Sequence, residues 1–280
     1  MEEIKSIKRR YRFRPKKRLG QHFIRDRGVI HRIITRSDFR QSDHVLEIGA
    51  GLGALTIPLA GFVHKIIAVE KDSLLVDMLD KKLSHAGITN VTLINDDILK
   101  LDLKGIADLL GKKIKTIGNL PYNISSPFLE KLFKYRNLIS KAVLMFQSEF
   151  AKRLLSPPGG KEYGAITVLI QYNAAVSPLL EVAKEAFYPR PKVDSMVLAI
   201  DLERPYPKRA KDDTSFKAVV KGAFAHRRKT IQNSLKGTLQ SHSSHEISVA
   251  LRRCDIDPRR RAETLDIDDF LCLADALKHG

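Results

Sequence analysis

Val45-Leu46-Glu47-Ile48-Gly49-Ala50-Gly51-Leu52-Gly53-Ala54 is an apolar run that opens into glycines at every second position. A strand ending this way can turn sharply and bring bare backbone against a ligand, since no Cβ intervenes. Gly49, Gly51 and Ala54 also fit the dinucleotide spacing G-x-G-x-x-A, so this stretch alone leaves a nicotinamide oxidoreductase open.

Short apolar runs recur on both sides of it, at 44–48, 65–69, 91–94, 114–117 and 142–146. Helix-length stretches such as 73–84 and 126–133 separate them, and 29–34 has helical spacing ahead of the first. Short β-branched runs alternating with amphipathic helices predict a doubly wound, Rossmann-like α/β fold on a parallel sheet. Residues 195–202 read as a late strand, and 165–172 as either helix or strand. Arg204-Pro205-Tyr206-Pro207 breaks any regular element and marks a boundary. Beyond it, 216–235, 246–253 and 267–277 have helical patterning with Gly237 and Pro258 as punctuation, so a small all-helical domain is expected there. The predicted division is a basic extension at 1–20, an α/β domain at 21–203 and a helical domain at 208–280.

The 280 residues carry 49 Lys and Arg against 32 Asp and Glu, a formal charge of +17. That length is ample for a real core. Residues 1–40 hold 14 basic and 4 acidic side chains and residues 204–280 hold 16 and 10, whereas the middle is nearly balanced. A basic face displaces condensed counterions from a phosphate backbone, so the asymmetry points to a polyanion; a merely solvated basic surface is the alternative. No uncharged apolar run approaches the roughly 20 residues that span a bilayer, and no strongly amphipathic basic helix stands out, so no membrane partner is expected. The amino terminus has charges without an apolar segment behind them and is not read as a secretory signal. Cys254 and Cys272 are read as neither a disulfide framework nor a metal cluster, which predicts a reducing, cytoplasmic compartment and no metal. A monomer is the default.

Two acidic strand ends narrow the chemistry. Glu70 closes the second apolar run, and Asp96-Asp97 follow the third. In an open parallel sheet, residues just past the carboxyl ends of neighbouring strands line one crevice. A carboxylate at the second can accept from ribose hydroxyls, and one at the third from an adenine amino group. Asn119-Leu120-Pro121-Tyr122 then follows the fourth run, at the same edge. An exocyclic adenine amine is a poor nucleophile, because its lone pair is delocalised into the ring. The Asn119 side-chain oxygen and the Leu120 carbonyl can hold its hydrogens and draw the nitrogen toward a tetrahedral shape. Pro121 fixes φ and removes a competing donor, and Tyr122 offers a flat face to an extruded base.

Further motifs extend the pattern: Leu19-Gly20-Gln21-His22-Phe23-Ile24-Arg25-Asp26, Asn119 through Pro127, and Gln147 through Leu154. Phe187-Tyr188-Pro189-Arg190-Pro191-Lys192-Val193-Asp194-Ser195 and Arg227-Arg228-Lys229-Thr230 complete it. Over nearly the whole chain this set resembles the rRNA adenine N6-dimethyltransferases of the KsgA type.

The resemblance implies a class I methyltransferase sheet and S-adenosyl-L-methionine as cofactor. It implies N6-dimethylation of two neighbouring adenines near the 3′ end of small-subunit ribosomal RNA, in small-subunit biogenesis. By the same resemblance, Gln21, His22 and Ile24 close over the cofactor. Glu47 and Gly49 lie near its methionine end, Gly51 also binds it, and Glu70 lies at its ribose and Asp97 at its adenine. Asn119 contacts both cofactor and target amine, Leu120 and Tyr122 hold the target base, Phe187 covers its other face, and Pro121 completes the catalytic motif. Arg227, Arg228 and Lys229, in a helix-like segment, grip RNA phosphates. The family usually carries Asn where this chain has His22. Two alternatives share much of this pattern: a large-subunit rRNA adenine methyltransferase of the macrolide-resistance type, and a nonenzymatic ribosome-assembly factor. The oxidoreductase reading leaves Asn119-Leu120-Pro121-Tyr122 and the basic ends without a role.

Overall fold

A computed structural model describes residues 14–111 and 113–278. The basic stretch at 1–13, most of the expected extension, lies outside the described residues.

Phe23–Ile24 forms β1, and Arg27–Arg36 forms α1. Asp26 caps α1 by accepting from the Val29 amide at 3.0 Å, and Val29, Ile33 and Ile34 bury one stripe of it. His44–Ile48 forms β2, every residue of it buried, as befits a strand covered on both faces. Next come α2 (Thr56–Ala60), β3 (Lys65–Glu70), α3 (Ser73–His85), β4 (Val91–Asn95), α4 (Leu103–Leu110), β5 (Ile114–Asn119), α5 (Ser125–Lys134) and β6 (Ile139–Gln147). The strands β7 (Ala175–Val182), β8 (Phe187–Tyr188) and β9 (Ser195–Asp201) complete the set. Seven strands form one mixed sheet in the order β4-β3-β2-β5-β6-β9-β7, and β1 pairs with β8 separately. The pairs β2/β3, β2/β5, β3/β4 and β5/β6 are parallel, and β6/β9 is antiparallel.

The register decides where chemistry can gather. Ile48 lies opposite Val69 on β3 and Gly118 on β5, while Glu70 lies opposite Asn95 on β4. The glycine turn, Glu70, Asp96-Asp97 and Asn119 therefore leave the sheet at one edge, where chain order reverses across β2. Gly118 is fixed by packing: a Cβ there would stand 2.8 Å from the Ile48 carbonyl oxygen.

The described residues divide into two compact units, one drawn from the chain up to 151 with 177–203, the other from 152–176 with the chain from 204 on. The break at 203/204 falls at the Pro-rich boundary, but 152–176, expected in the α/β domain, groups with the helical unit. Within that unit α7 (Ala165–Asn173) resolves the helix-or-strand ambiguity in favour of helix. Its Tyr172 packs on Phe216, donates to Asp213 Oδ1 at 2.5 Å, and carries the Arg209 guanidinium over its ring at 3.6 Å. The expected helix 216–235 is two, α8 (Asp213–Phe224) and α9 (Ile231–Thr238), because Thr230 starts a new helix by capping the Asn233 amide. Gly237 lies inside α9 rather than at a break. The helices α10 (Ser244–Arg253) and α11 (Ile267–Lys278) follow; α6 (Ser148–Leu155) precedes α7 in the chain.

One expectation is reversed here. Cys254, at the end of α10, is bonded to Cys272 on α11 across 18 residues of sequence, with Cα atoms 5.8 Å apart. Two well-separated positions in sequence become neighbours because the helices pack together. Closing a loop of that length is worth about 3 kcal/mol in the chain-entropy treatment. Dithiothreitol is therefore expected to lower the melting temperature of the oxidised protein and to leave a Cys254→Ser/Cys272→Ser variant unmoved, as read by scanning calorimetry. Among the described residues no helix is long and apolar enough to cross a membrane, and no group of three or more His, Cys, Asp and Glu could hold a metal ion.

Candidate active site

A cavity opens at the sheet edge described above, lined by the glycine turn, the ends of β2 to β5 and residues 18–24. Its floor is set by the turn after β2. The Gly49 amide donates to Val69 O at 2.8 Å, and Gly49 and Gly51 have φ of +71° and +56°, values that a side chain would strain. A Cβ on Gly51 would also press against the Phe23 ring at 3.3 Å.

Two carboxylates stand beside this floor. Glu70 accepts from the Gly51 amide through Oε2 and from the Asp72 amide through Oε1, each at 2.9 Å. Burial pushes its pKa up, and these amides hold it back. Glu47 is 1% exposed, and its Oε2 has no hydrogen-bond partner among the described residues. Its pKa is pushed up to about 8 by burial, with the charge of Glu70 adding to the effect.

Gln21, expected over the cofactor, lines the cavity but spends its side chain elsewhere. Its Nε2 donates to Asp72 Oδ2 at 3.0 Å, and its Oε1 accepts from the Lys16 amide at 2.7 Å. Lys16 Nζ reaches the other oxygen of Asp72 at 2.7 Å. Burial alone would raise the pKa of Asp72; the Lys16 and Gln21 contacts outweigh it and hold the carboxyl below its ordinary range. Asp72 and Lys16 were invisible as a pair in the sequence, where 56 residues separate them; the E-K-D run at 70–72 was the only signal.

At the third strand end both Asp96 and Asp97 line the cavity. Asp97 is tied down: Oδ2 receives Lys71 Nζ at 2.8 Å and Oδ1 the Leu99 amide at 3.0 Å, and the Lys71 contact leads in lowering its pKa. The loop that follows is held by Lys131 of α5, whose ammonium donates to the carbonyls of Ile98 at 2.7 Å, Leu99 at 3.1 Å and Leu101. Lys131 went unread in the sequence because its partners are backbone atoms.

Asn119, Leu120, Pro121 and Tyr122 all line the same cavity. Asn119 Nδ2 donates to the His22 carbonyl at 2.8 Å. A carbonyl only accepts, so the amide orientation is fixed by chemistry, and Oδ1 faces away from His22. The His22 ring does not reach for a cofactor amide position: its Nδ1 donates to the Pro189 carbonyl at 2.6 Å, and its ring stacks with that of Tyr122 at a centroid distance of 5.8 Å. Tyr122 is anchored at its other end, the hydroxyl sharing a hydrogen bond with Ser195 Oγ at 3.1 Å. Ile24, also expected over the cofactor, is a buried wall residue of the cavity.

Phe187, expected to cover the second face of a base, is 1% exposed, pairs with Ile24 across β1/β8, packs in the apolar core and is not among the residues lining the cavity. The ring faces away from water because β8 inserts it among Ile24, Val29 and Val182. Arg227, half exposed, lies in the turn between α8 and α9, where its Nη2 donates to the carbonyls of Lys161 at 2.6 Å and Tyr163 at 3.3 Å and faces Glu263 at 3.7 Å. Arg228 and Lys229 in the same turn are exposed as well.

The sequence profile of the family described as "Ribosomal RNA adenine dimethylase" matches residues 12–279. A "Ribosomal RNA small subunit methyltransferase A" of Desulforapulum autotrophicum is 42% identical over 95% of this chain and 93% of its own length. One of the same name from Lactiplantibacillus plantarum is 40% identical over 98% and 93%. Among solved structures, a dimethyladenosine transferase from Plasmodium falciparum aligns with TM-score 0.76 and 28% identity, covering 90% of this chain and 95% of that one. The 23S rRNA methyltransferase ErmE aligns with TM-score 0.66 and 25% identity, covering 91% and 99%. With nearly its full length matched, an acidic, glycine-floored cavity at the sheet edge and Asn119-Leu120-Pro121-Tyr122 at its mouth, this chain belongs to the ribosomal RNA adenine dimethylase family.

Proposed function

We propose that this protein transfers methyl groups from S-adenosylmethionine to the N6 atoms of two adjacent adenines near the 3′ end of small-subunit ribosomal RNA, two to each. The observation that carries the reading is the locked Asn119 amide, with its NH₂ on His22 O and its oxygen left as an acceptor at the cavity wall.

The cavity suits the cofactor. The glycine turn brings backbone to the cavity floor, and the carboxylates at the ends of β2, β3 and beyond β4 suit a cationic nucleoside with a diol and an exocyclic amine. Glu70 would hold the ribose, Asp96 or Asp97 the adenine, and Glu47 with the glycine turn the methionine end. When bound, S-adenosylmethionine supplies a methyl group on a positively charged sulfur, already activated for transfer.

The chain then has to position and polarise. Asn119 Oδ1 and the Leu120 carbonyl accept the two N–H bonds of the target amine and localise its lone pair toward the methyl donor. Tyr122 supplies a flat face for the extruded base, its tilt set by the Ser195 contact. The proton leaves from the N–H held by Asn119 Oδ1 after transfer, when the alkylated nitrogen is strongly acidic. A monomethylated amine keeps one N–H for the same acceptor, so a second transfer needs only room for the first methyl.

Incubating the protein with isolated ribosomal subunits and isotopically labelled cofactor, then mapping methylated adenines by mass, tests the reading. Two neighbouring dimethyladenines in small-subunit RNA are expected; a single modified adenine in the large subunit would instead place the protein with the macrolide-resistance type.

The exposed pair Arg228 and Lys229 is expected to grip RNA phosphates. Arg228→Ala/Lys229→Ala should flatten the dependence of log K on log salt by about 0.7 per lost phosphate contact, with little change in melting temperature. Arg227→Ala should lower the melting temperature, because its Nη2 donates to the Lys161 and Tyr163 carbonyls and faces Glu263. Filter binding across a salt series and thermal melts separate the two.

A further inference from the structure

The two carboxyl groups beside the cavity floor are not equivalent. Glu70 has both oxygens satisfied by backbone amides. Glu47 is set between apolar strand neighbours, Ala68 on β3 and Ile117 on β5, and one of its oxygens meets no donor among the described residues. A buried carboxylate left in that state is costly, and the inexpensive remedy is a proton. We infer that Glu47 carries a proton in the ligand-free cavity and gives it up when a sulfonium enters, so that binding the methyl donor, but not its thioether product, releases a proton. This rests on the reading of S-adenosylmethionine as the cofactor.

The surroundings agree. Burial raises the Glu47 carboxyl to about 8, Glu70 raises it further in the same direction, and Thr56 on the first turn of α2 opposes. β5 presents the uncharged Ile117, and besides Glu70 the other titratable groups lining the cavity are Arg18, His22, Lys71, Asp96, Asp97 and Tyr122. A cation placed in the cavity favours the ionised carboxyl, and in this low-dielectric site the effect is large. Only the O–H bond of Glu47 breaks; the proton goes to bulk buffer.

The consequence is a selectivity that depends on pH. Below about 8 the donor must displace a proton, so its affinity should rise nearly tenfold per pH unit between pH 6 and 7 and level off above 9. Product affinity should follow the donor only where both ligands share a titrating group, such as their common ammonium. Methyl transfer would thus leave a thioether beside a carboxylate that regains its proton, which favours product release.

Isothermal titration calorimetry at pH 7.0, in phosphate and in Tris, measures proton release through the dependence of the apparent enthalpy on buffer ionisation. S-adenosylmethionine is expected to release about one proton more than S-adenosylhomocysteine. Equal release by both ligands, or none by either while both bind, overturns the inference and leaves the cofactor reading intact. Failure of both ligands to bind overturns the two together. Glu47→Gln, which fixes the neutral form at the same size, should abolish the difference and weaken the donor by about tenfold relative to the product. Should that variant bind both ligands and retain the extra proton, Glu47 is not its source. The wild-type comparison decides the point even if the variant does not fold.

Discussion

Asn119→Ala is expected to lower kcat by about 10²- to 10³-fold on a ribosomal RNA substrate while changing the Kd of S-adenosylhomocysteine by no more than a few-fold. The magnitude is that of removing one preorganised hydrogen-bond partner aimed at charge developing in a transition state. It falls on kcat because the Asn119 acceptor gains most as the amine nitrogen turns pyramidal and its N–H bonds become acidic. The geometry allows a sharper version. Asn119→Asp keeps an acceptor toward the amine but sets a carboxylate oxygen against the His22 carbonyl, where an amide NH₂ now donates at 2.8 Å. Two acceptors facing each other repel, so the side chain swings out of place and kcat should fall nearly as far as in the alanine variant. An aspartate variant with wild-type kcat would mean that acceptor chemistry alone suffices and that the His22 contact does not position the group. Single-turnover kinetics with labelled cofactor separates these outcomes from effects on product release.

What the sequence carries about this site is mostly what strand order and local spacing encode. The runs at 44–48, 65–69 and 91–94 are β-branched, short and bounded by turn residues, and each became a strand within a residue or so. Residues directly after those strands fall at one edge by topology alone, so Glu70, Asp97 and Asn119 gather as anticipated. What stayed hidden depends on partners far away in the chain. Pro178 argues against a strand at 175–182, yet β7 sits at the end of the sheet order, where a missing amide donor is tolerated. Arg227 looks like its neighbours Arg228 and Lys229, and only the fold brings the Lys161 and Tyr163 carbonyls to it. Phe187 belongs to a motif that predicts function, but pairing of β8 with β1 turns its ring into the core. Cys254 and Cys272 give no sign in the sequence that their helices meet. Glu47 could be placed near a ligand from its position before Gly49, but its protonation follows from burial, which a one-dimensional reading does not supply.

Tyr122→Ala is expected to act on the other side of the kinetic ledger. Stacking of a base on an aromatic ring is worth about 1–3 kcal/mol, and most of it is present once the base is extruded, before the methyl moves. The loss should therefore appear as a rise of about 5- to 150-fold in KM for RNA, with kcat within a few-fold of wild type. The hydroxyl separates two contributions. Tyr122→Phe keeps the stacking face and removes only the contact with Ser195 Oγ at 3.1 Å, a neutral hydrogen bond worth about 1 kcal/mol. Its KM should rise less than tenfold, and Ser195→Ala should match it, because each variant deletes the same bond. The double variant Tyr122→Phe/Ser195→Ala should then cost about as much as either single change, the non-additivity that marks a shared interaction. If Tyr122→Phe instead equalled Tyr122→Ala, ring orientation by Ser195 would outweigh the stacking face itself. In that case the buried Ser195, at the start of β9, would be the residue on which base positioning depends.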